Sequence, residues 1–236
     1  MTAVKNLSPE IRNGARKYLI RSIVGPVIMA LIFFISSGRW DLPRAWYCFS
    51  LFFIYSFFSS LVFYRLKPEL MYHRNNWKKD AKKWDQILMP FAVFIGFHFQ
   101  YLVMGLDIRF GWSNIEPGWI IPGTIILIFS VAITLWSMFK NKHFETTVRI
   151  QNDRDHQVVT SGPYRIVRHP GYIGAILFEF AVPMIIGSLF GFINAAISSV
   201  LFIIRTWKED NTLKHELQGY PEYTRSVRFR LIPGIW

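Results

Sequence analysis

Charged residues in this chain are bunched, and between the bunches run stretches with almost no charge. Four of these, Ile20–Ser37, Ala45–Tyr64, Ile87–Leu106 and Trp119–Phe139, come close to the roughly 20 residues an α-helix needs to cross a hydrocarbon core. A fifth block, Tyr172–Ile204, has 33 residues, enough for one helix about 50 Å long. That overshoots a ~30 Å core and falls short of two full crossings. Gly187, Ser188 and Gly191 sit near its middle, so the pattern predicts two short helices turning near Gly187–Gly191. The expected fold is an all-α integral membrane protein with about six transmembrane helices, the last two forming a short hairpin, followed by a small C-terminal segment. Residues 1–139 would hold four N-terminal spans and a basic loop at 65–86. Residues 140–236 would hold a polar motif, the hairpin 172–204 and the tail.

Composition agrees with this pattern. Apolar residues make up 52% of the 236-residue chain and aromatic residues 17%, too greasy for an ordinary soluble domain. The first apolar run follows Arg12, Arg16, Lys17 and Arg21, as in a signal peptide. It lacks an evident small-x-small cleavage site and is followed within a few residues by another span, so it reads as an uncleaved anchor. The single cysteine, Cys48, lies inside an apolar run and supports neither a disulfide framework nor a cysteine metal site.

The net charge of +12 would suggest nucleic acid in a soluble chain. Here the positions of the charges point elsewhere, and no nucleic-acid partner is expected. Of 27 Lys and Arg, 24 fall in four segments: the N-terminus through Arg21, Arg65–Lys83, Lys140–Arg168 and Arg205–Arg230. The hairpin topology puts all four on one side, leaving only Arg39, Arg44 and Arg109 opposite. The positive-inside bias then places both termini in the cytoplasm. Trp40, Trp46, Trp84, Trp112 and Trp119 flank the spans, as interfacial anchors do. Leu66–Gln86 reads as a basic, Trp-containing segment lying along the membrane surface.

The chemistry is concentrated in Ser161-Gly162-Pro163-Tyr164-Arg165-Ile166-Val167-Arg168-His169-Pro170-Gly171-Tyr172. Two arginines, a histidine and two tyrosines so close to lipid need partners or a ligand. Proline disfavours helix before it and suits the first helical position, so His169-Pro170 ends a short helix through Tyr164–Arg168 and starts the fifth span. Beyond that punctuation, the amides and imidazole at the break would suit a ligand with anionic groups. Arg205, Glu209, Leu213 and Leu217 recur every four residues, either as a helix-surface ion pair above a packing stripe or as a cation and an anion at a pocket mouth. Glu179 lies within the fifth block and is a functional candidate by position, while His98 and Gln100 suit interhelical hydrogen bonds. No metal-ligand spacing, phosphate-cradling loop or dinucleotide fingerprint is present.

In order, the chain carries His156-Gln157-Val158-Val159-Thr160-Ser161-Gly162-Pro163-Tyr164, Arg168-His169-Pro170-Gly171-Tyr172-Ile173-Gly174, Arg205-x3-Glu209-Asp210-x2-Leu213, Gly219-Tyr220-x2-Tyr223 and Leu231-Ile232-Pro233. This series resembles the isoprenylcysteine carboxyl methyltransferase family in its broad bacterial form, over about Asn141–Trp236. The resemblance implies S-adenosyl-L-methionine as cofactor, bound without a Rossmann domain, and no metal. It assigns the cofactor to Gln151, His156, Gln157, Val158, Val159, Tyr164, His169, Pro170, Gly171, Tyr172 and Glu209, and catalysis and substrate binding to Arg205. The segment between Gln151 and His156 is shorter than in the family, and Asp210 stands where a second glutamate is common. The implied reaction is methylation of a lipophilic or membrane-partitioned acceptor, through a carboxylate, thiol or amine. The acceptor would be a small molecule or lipid-linked, the neighbours membrane lipids, and the location a bacterial inner membrane.

Two other readings remain open from sequence. The sterol reductases, which use NADPH, share a similar Arg-His-Pro-x-Tyr-x-Gly motif and an Arg-x-Ile-Pro ending, close to Arg230–Pro233 here. A non-catalytic membrane scaffold would leave Asn141, His143 and Glu145 unexplained.

Overall fold

The computed structural model describes residues 7–75 and 80–236, and among these every regular element is a helix, with no strand. Helix α1 (Pro9–Ser37) starts at the Ser8 cap, with proline in its first turn, and ends at Gly38, whose φ of 65° lets the chain turn left-handed. Helix α2 (Pro43–Leu66) follows, then a short α3 (Pro68–Asn75). The next crossing is composite: α4 (Lys83–Phe94), a π-helical turn (Ile95–Phe99) and α5 (Gln100–Phe110). Helix α6 (Ile120–Lys140) leads to the polar motif, and then come α7 (Pro170–Ile186), α8 (Leu189–Glu216) and α9 (Tyr220–Ser226).

Among the described residues, five helical segments are long and apolar enough to cross a membrane: Pro9–Ser37, Pro43–Leu66, Lys83–Phe110, Pro117–Lys140 and Leu189–Glu216. Helix α7, with 17 residues, is shorter. The expected hairpin turn is present, but its second arm, α8, runs for 28 residues and is not short. Gly187 takes φ 99° after α7, and the Ser188 side chain caps α8 by accepting from the Gly191 amide at 3.2 Å. On that side Arg44 donates to the carbonyls of Met184, Ile185 and Ile115 at 2.6–2.8 Å, tying the free end of α7 to its neighbours.

Contacts at the helix ends show which connections share a face. Tyr72 of α3 bonds Glu10, Arg74 donates to the Phe144 carbonyl, Lys82 pairs with Glu216, and Arg168 meets the C-terminal tail. The N-terminus, the segment around α3, the motif and the tail therefore lie together. On the other face Arg44 and Asp107 gather the remaining turns. Within the segment 66–86, Pro68–Asn75 is a helix packed by Leu70 and Met71; Lys5 of the basic N-terminus and Trp77 lie outside the described residues.

Helices α6 and α7 approach closely because Gly123 and Gly174 leave room for the facing backbone. Ser130 Oγ donates to the Gly174 carbonyl at 2.8 Å across that seam. Glu179 is fully buried, accepts from Ser198 at 2.8 Å and lies against Gly96 in the π-turn. Gln100 bridges helices by donating to the Glu179 and Gly191 carbonyls, as its position suggests. His98 instead bonds within its own segment, to the Val93 carbonyl at 3.3 Å.

Trp236 lies beside the motif, since its carbonyl accepts from Arg230 and Leu231. With 24 of 27 basic residues in the four segments of this face, a cytoplasm-active reporter fused after Trp236 should work and a periplasm-active one should be silent. The reverse pattern would invert the orientation of the bundle.

Candidate functional site

The motif begins as a tight turn. Gly162 takes φ 63°, and Pro163 opens a single 3₁₀ turn over Gly162–Arg165, shorter than the helix expected through Arg168. Pro170 occupies the first turn of α7 with His169 as its cap residue. The amides before this break are not left free for a ligand. Arg168 N–H donates to the Phe229 carbonyl and His169 N–H to that of Arg230, both at 3.0 Å. The tail runs alongside the motif and takes these donors, as buried backbone groups require.

Asp210 anchors this arrangement. It is fully buried and receives Arg168 at 2.7 and 3.1 Å, Arg230 at 2.8 Å, Lys214 at 3.0 Å and the Tyr220 hydroxyl at 3.0 Å. His169 Nε2 lies 3.3 Å from Tyr220 Oη and 3.5 Å from Asp210. Burial, reinforced by the Asp210 charge, raises the Tyr220 pKa, so its hydroxyl keeps its proton. Tyr223 donates to the Tyr164 carbonyl at 2.7 Å, and Tyr164 Oη accepts from Asn141 at 3.2 Å.

Arg205 and Glu209 share a helix face but do not form the surface ion pair that their spacing allows. Arg205, only 4% exposed, makes a two-point contact with Asp85 at 2.7 and 3.2 Å and donates to the Thr146 carbonyl at 2.9 Å. Its guanidinium also lies over the Tyr172 ring, 5.2 Å from the centroid. Glu209 instead accepts the Tyr172 hydroxyl. Asp85 also accepts the Val148 amide at 2.7 Å, so one carboxylate fixes both the arginine and the 141–160 segment. Sequence reasoning missed Asp85. The available signal was a lone acid at the start of a span, directly after a basic run.

The 141–160 segment is held by its own polar side chains. His143 Nδ1 donates to Gln151 Oε1 at 3.0 Å, and Gln151 Nε2 donates back to the His143 carbonyl at 2.8 Å. The Gln157 amide donates to His143 Nε2, and the Gln151 amide to His156 Nδ1. The two imidazoles lie 4.4 Å apart. Burial, aided by the neighbouring His143 and arginines, pushes the His156 pKa down to about 4, and burial lowers that of His143. Both rings are therefore neutral at neutral pH, and the His156 proton sits on Nε2. Beneath them Arg149 joins Glu145, Asp80 and Asp153 at 2.7–3.0 Å.

One cavity of about 480 Å³ collects these groups, a size typical of small-molecule sites. Gln151, His156, Gln157, Val158, Val159, Tyr164, His169, Gly171, Tyr172, Arg205 and Glu209 all border it; Pro170 does not. The cavity then continues between apolar side chains of the spanning helices, among them Met29, Phe52, Phe97 and Phe178. Glu179 stands outside it. Among the described residues no group of three His, Cys, Asp or Glu side chains is placed to hold a metal ion.

Residues 123–215 match the family model described as the isoprenylcysteine carboxyl methyltransferase family. A relative from Schizosaccharomyces pombe, described as protein-S-isoprenylcysteine O-methyltransferase, is 32% identical over 65 residues. That match spans 28% of this chain and 25% of the relative's length. Among solved structures, the eukaryotic intramembrane Ras methyltransferase, an isoprenylcysteine carboxyl methyltransferase, aligns over 97% of this chain and 99% of its own at 18% identity, with a TM-score of 0.47.

Two measurements test this account of the site. Asp210→Asn leaves Arg168 buried without its counter-charge and should destabilise the protein by about 3–5 kcal/mol, read as a lowered Tm. Between pH 6.5 and 4 the unfolded chain binds a proton at His156 that the folded one refuses, so stability should fall on acidification through this window. His156→Gln should flatten that fall; an unchanged pH profile would show that the imidazole is not held neutral.

Proposed function

We propose, from the match of residues 123–215 to the isoprenylcysteine carboxyl methyltransferase family model, that the chain is an S-adenosylmethionine-dependent methyltransferase working in the membrane on a lipophilic acceptor. The observation that carries this reading is the single cavity. It joins the Tyr164–Tyr172 motif to Arg205 and Glu209 and runs on between apolar helix walls. A polar, charged end suits a soluble cofactor arriving from water, and an apolar end suits an acceptor arriving from lipid.

The groups present suit the cofactor. Among the described residues Glu209 has one donor, the Tyr172 hydroxyl, which leaves carboxylate lone pairs for the amino or hydroxyl groups of a ligand. Tyr164 borders the cavity and brings an aromatic side chain that tolerates a cation, while the Tyr172 ring already carries the Arg205 guanidinium. His156 presents an Nε2 proton as a neutral donor. When bound, S-adenosylmethionine supplies a methyl group on a sulfonium, open to in-line displacement. The residues proposed to hold it are His156–Val159, Tyr164, His169, Gly171, Tyr172 and Glu209, with Gln151 acting through the two histidines it orients.

Arg205 is proposed to hold the acceptor. Asp85 and the Thr146 carbonyl occupy Nε and Nη2, and Nη1 has no protein partner among the described residues. The guanidinium is thus fixed in one plane with a donor left over, which suits orienting an anionic or polar acceptor group. Asp85 balances its charge, so the site stays nearly neutral around a cationic cofactor. The apolar helix walls at the acceptor end would leave the nucleophile poorly solvated.

Purified protein should bind S-adenosylmethionine with a stoichiometry near one per chain. Tight NADPH binding without S-adenosylmethionine binding would instead favour a reductase. Arg205→Lys keeps the charge but loses the fork on Asp85, so turnover should fall by about ten-fold or more while cofactor affinity is largely kept. Glu209→Gln should weaken the cofactor first, by roughly ten-fold. Wild-type turnover and affinity in both variants would remove the pair from the site.

A further inference from the structure

The cavity reaches well beyond the motif. Along α7 it is bordered by Gly171, Gly174, Ala175 and Phe178, a run of eight residues or roughly 10 Å into the bundle. Across from these stand Ser22, Gly25 and Met29 of α1 and Phe52 of α2. Two of the hydroxyls in this limb, those of Ser22 and Ser130, are already used. The Ser22 hydroxyl bonds the Tyr18 and Leu19 carbonyls and the Ser60 hydroxyl, and Ser130 donates to the Gly174 carbonyl. With Met29, Phe52, Phe97, Val131, Ala175 and Phe178 along its walls, the limb offers a ligand mainly apolar contact.

Three helix glycines border this limb, and they differ: a Cβ on Gly171 would collide with Phe144. A Cβ on Gly174 would collide with Thr134 of α6. A Cβ on Gly25 would meet nothing within 4 Å. Gly14, Gly105, Gly123 and Gly191, also within helices, each have a neighbour closer than 3.0 Å to that position. Helix packing thus accounts for those glycines and leaves Gly25 unexplained. Ser22, Gly25 and Met29 follow an i, i+3, i+7 stripe, so a side chain at position 25 would point where its two neighbours point, into the cavity. Val24, Val27 and Ile28 occupy the outward face and are 44–46% exposed.

We propose that Gly25 determines the acceptor's chain length: the missing side chain on α1 leaves the width through which a hydrocarbon tail passes between α1, α2 and α7. The chemical class is an unbranched or isoprenoid-like chain whose polar head lies toward Arg205. This rests on the methyltransferase reading for the event at the polar end, but the seat for the tail is read from the cavity wall alone.

The test uses the purified full chain in detergent and equilibrium binding of S-alkyl cysteines carrying pentyl, decyl and pentadecyl chains, with S-adenosylmethionine affinity measured on the same samples. Wild-type affinity should rise with chain length. Gly25→Phe should lose about ten-fold or more for the two longer chains while pentyl and S-adenosylmethionine affinities stay at wild-type values. Gly25→Ile carries the same expectation should the larger ring prevent folding, and Val24→Phe, on the outward face, should bind the whole series like wild type. Wild-type behaviour of both folded Gly25 variants overturns the proposal, as does a wild-type protein with no chain-length dependence or no binding. Loss of S-adenosylmethionine binding in the wild type would sink the methyltransferase reading instead, with the chain-length result unaffected.

Discussion

A guanidinium cannot be buried at the end of a membrane helix without an opposite charge and acceptors for its remaining protons. Asp85 meets that need for Arg205. The pair joins α4 to α8, and through the Val148 amide and the Thr146 carbonyl it also fixes the segment that connects α6 to the motif. Three pieces distant in sequence therefore meet at one ion pair. Such a pair adds little net stability compared with apolar packing, but its partners cannot be separated cheaply. Its main effect is to hold a charged fork at one position in a wall that is otherwise greasy.

Asp210 does comparable work one turn further along α8. It gathers Arg168, Arg230, Lys214 and Tyr220, and so seats the tail against the motif. The adjacent residues Glu209 and Asp210 thus have separate duties. The longer carboxylate borders the cavity and meets one tyrosine; the shorter one is wholly enclosed. Shortening the side chain fits a position where the positive partners come to the carboxylate.

Much of the fold was legible because hydrophobic runs and charge bias are long-range averages. The hairpin turn at Gly187 follows from block length and a glycine, and the cap at Pro170 from proline's fixed geometry. Most residues bordering the polar end of the cavity, such as Tyr172 and Glu209, stood out as costly near lipid. What escaped was pairing. Repeats of four suggested Arg205 with Glu209, yet a partner 120 residues earlier takes the arginine, because burial favours a planar two-point contact over a neighbour on its own helix. The motif's amides looked free because nothing local binds them, while their acceptors lie in the tail. Gly25 is invisible to any sequence rule: glycine within a helix reads as weak propensity, and only the empty space before it gives it meaning.

The dependence of the motif on the tail bears on how the chain is made. Arg168 waits for Asp210, 42 residues downstream, and for the Val227 carbonyl, 59 residues downstream. At ribosomal speeds of about 5–20 residues per second, that is a delay of roughly 3–12 s during which the arginine and its neighbouring amides have only water and lipid headgroups as partners. The hairpin must insert and return before they are satisfied. The polar end of the cavity is therefore the last part of the molecule to take shape, after the surrounding bundle is already in the bilayer, and an insertion fault in α7 or α8 would leave a well-inserted but chemically vacant shell.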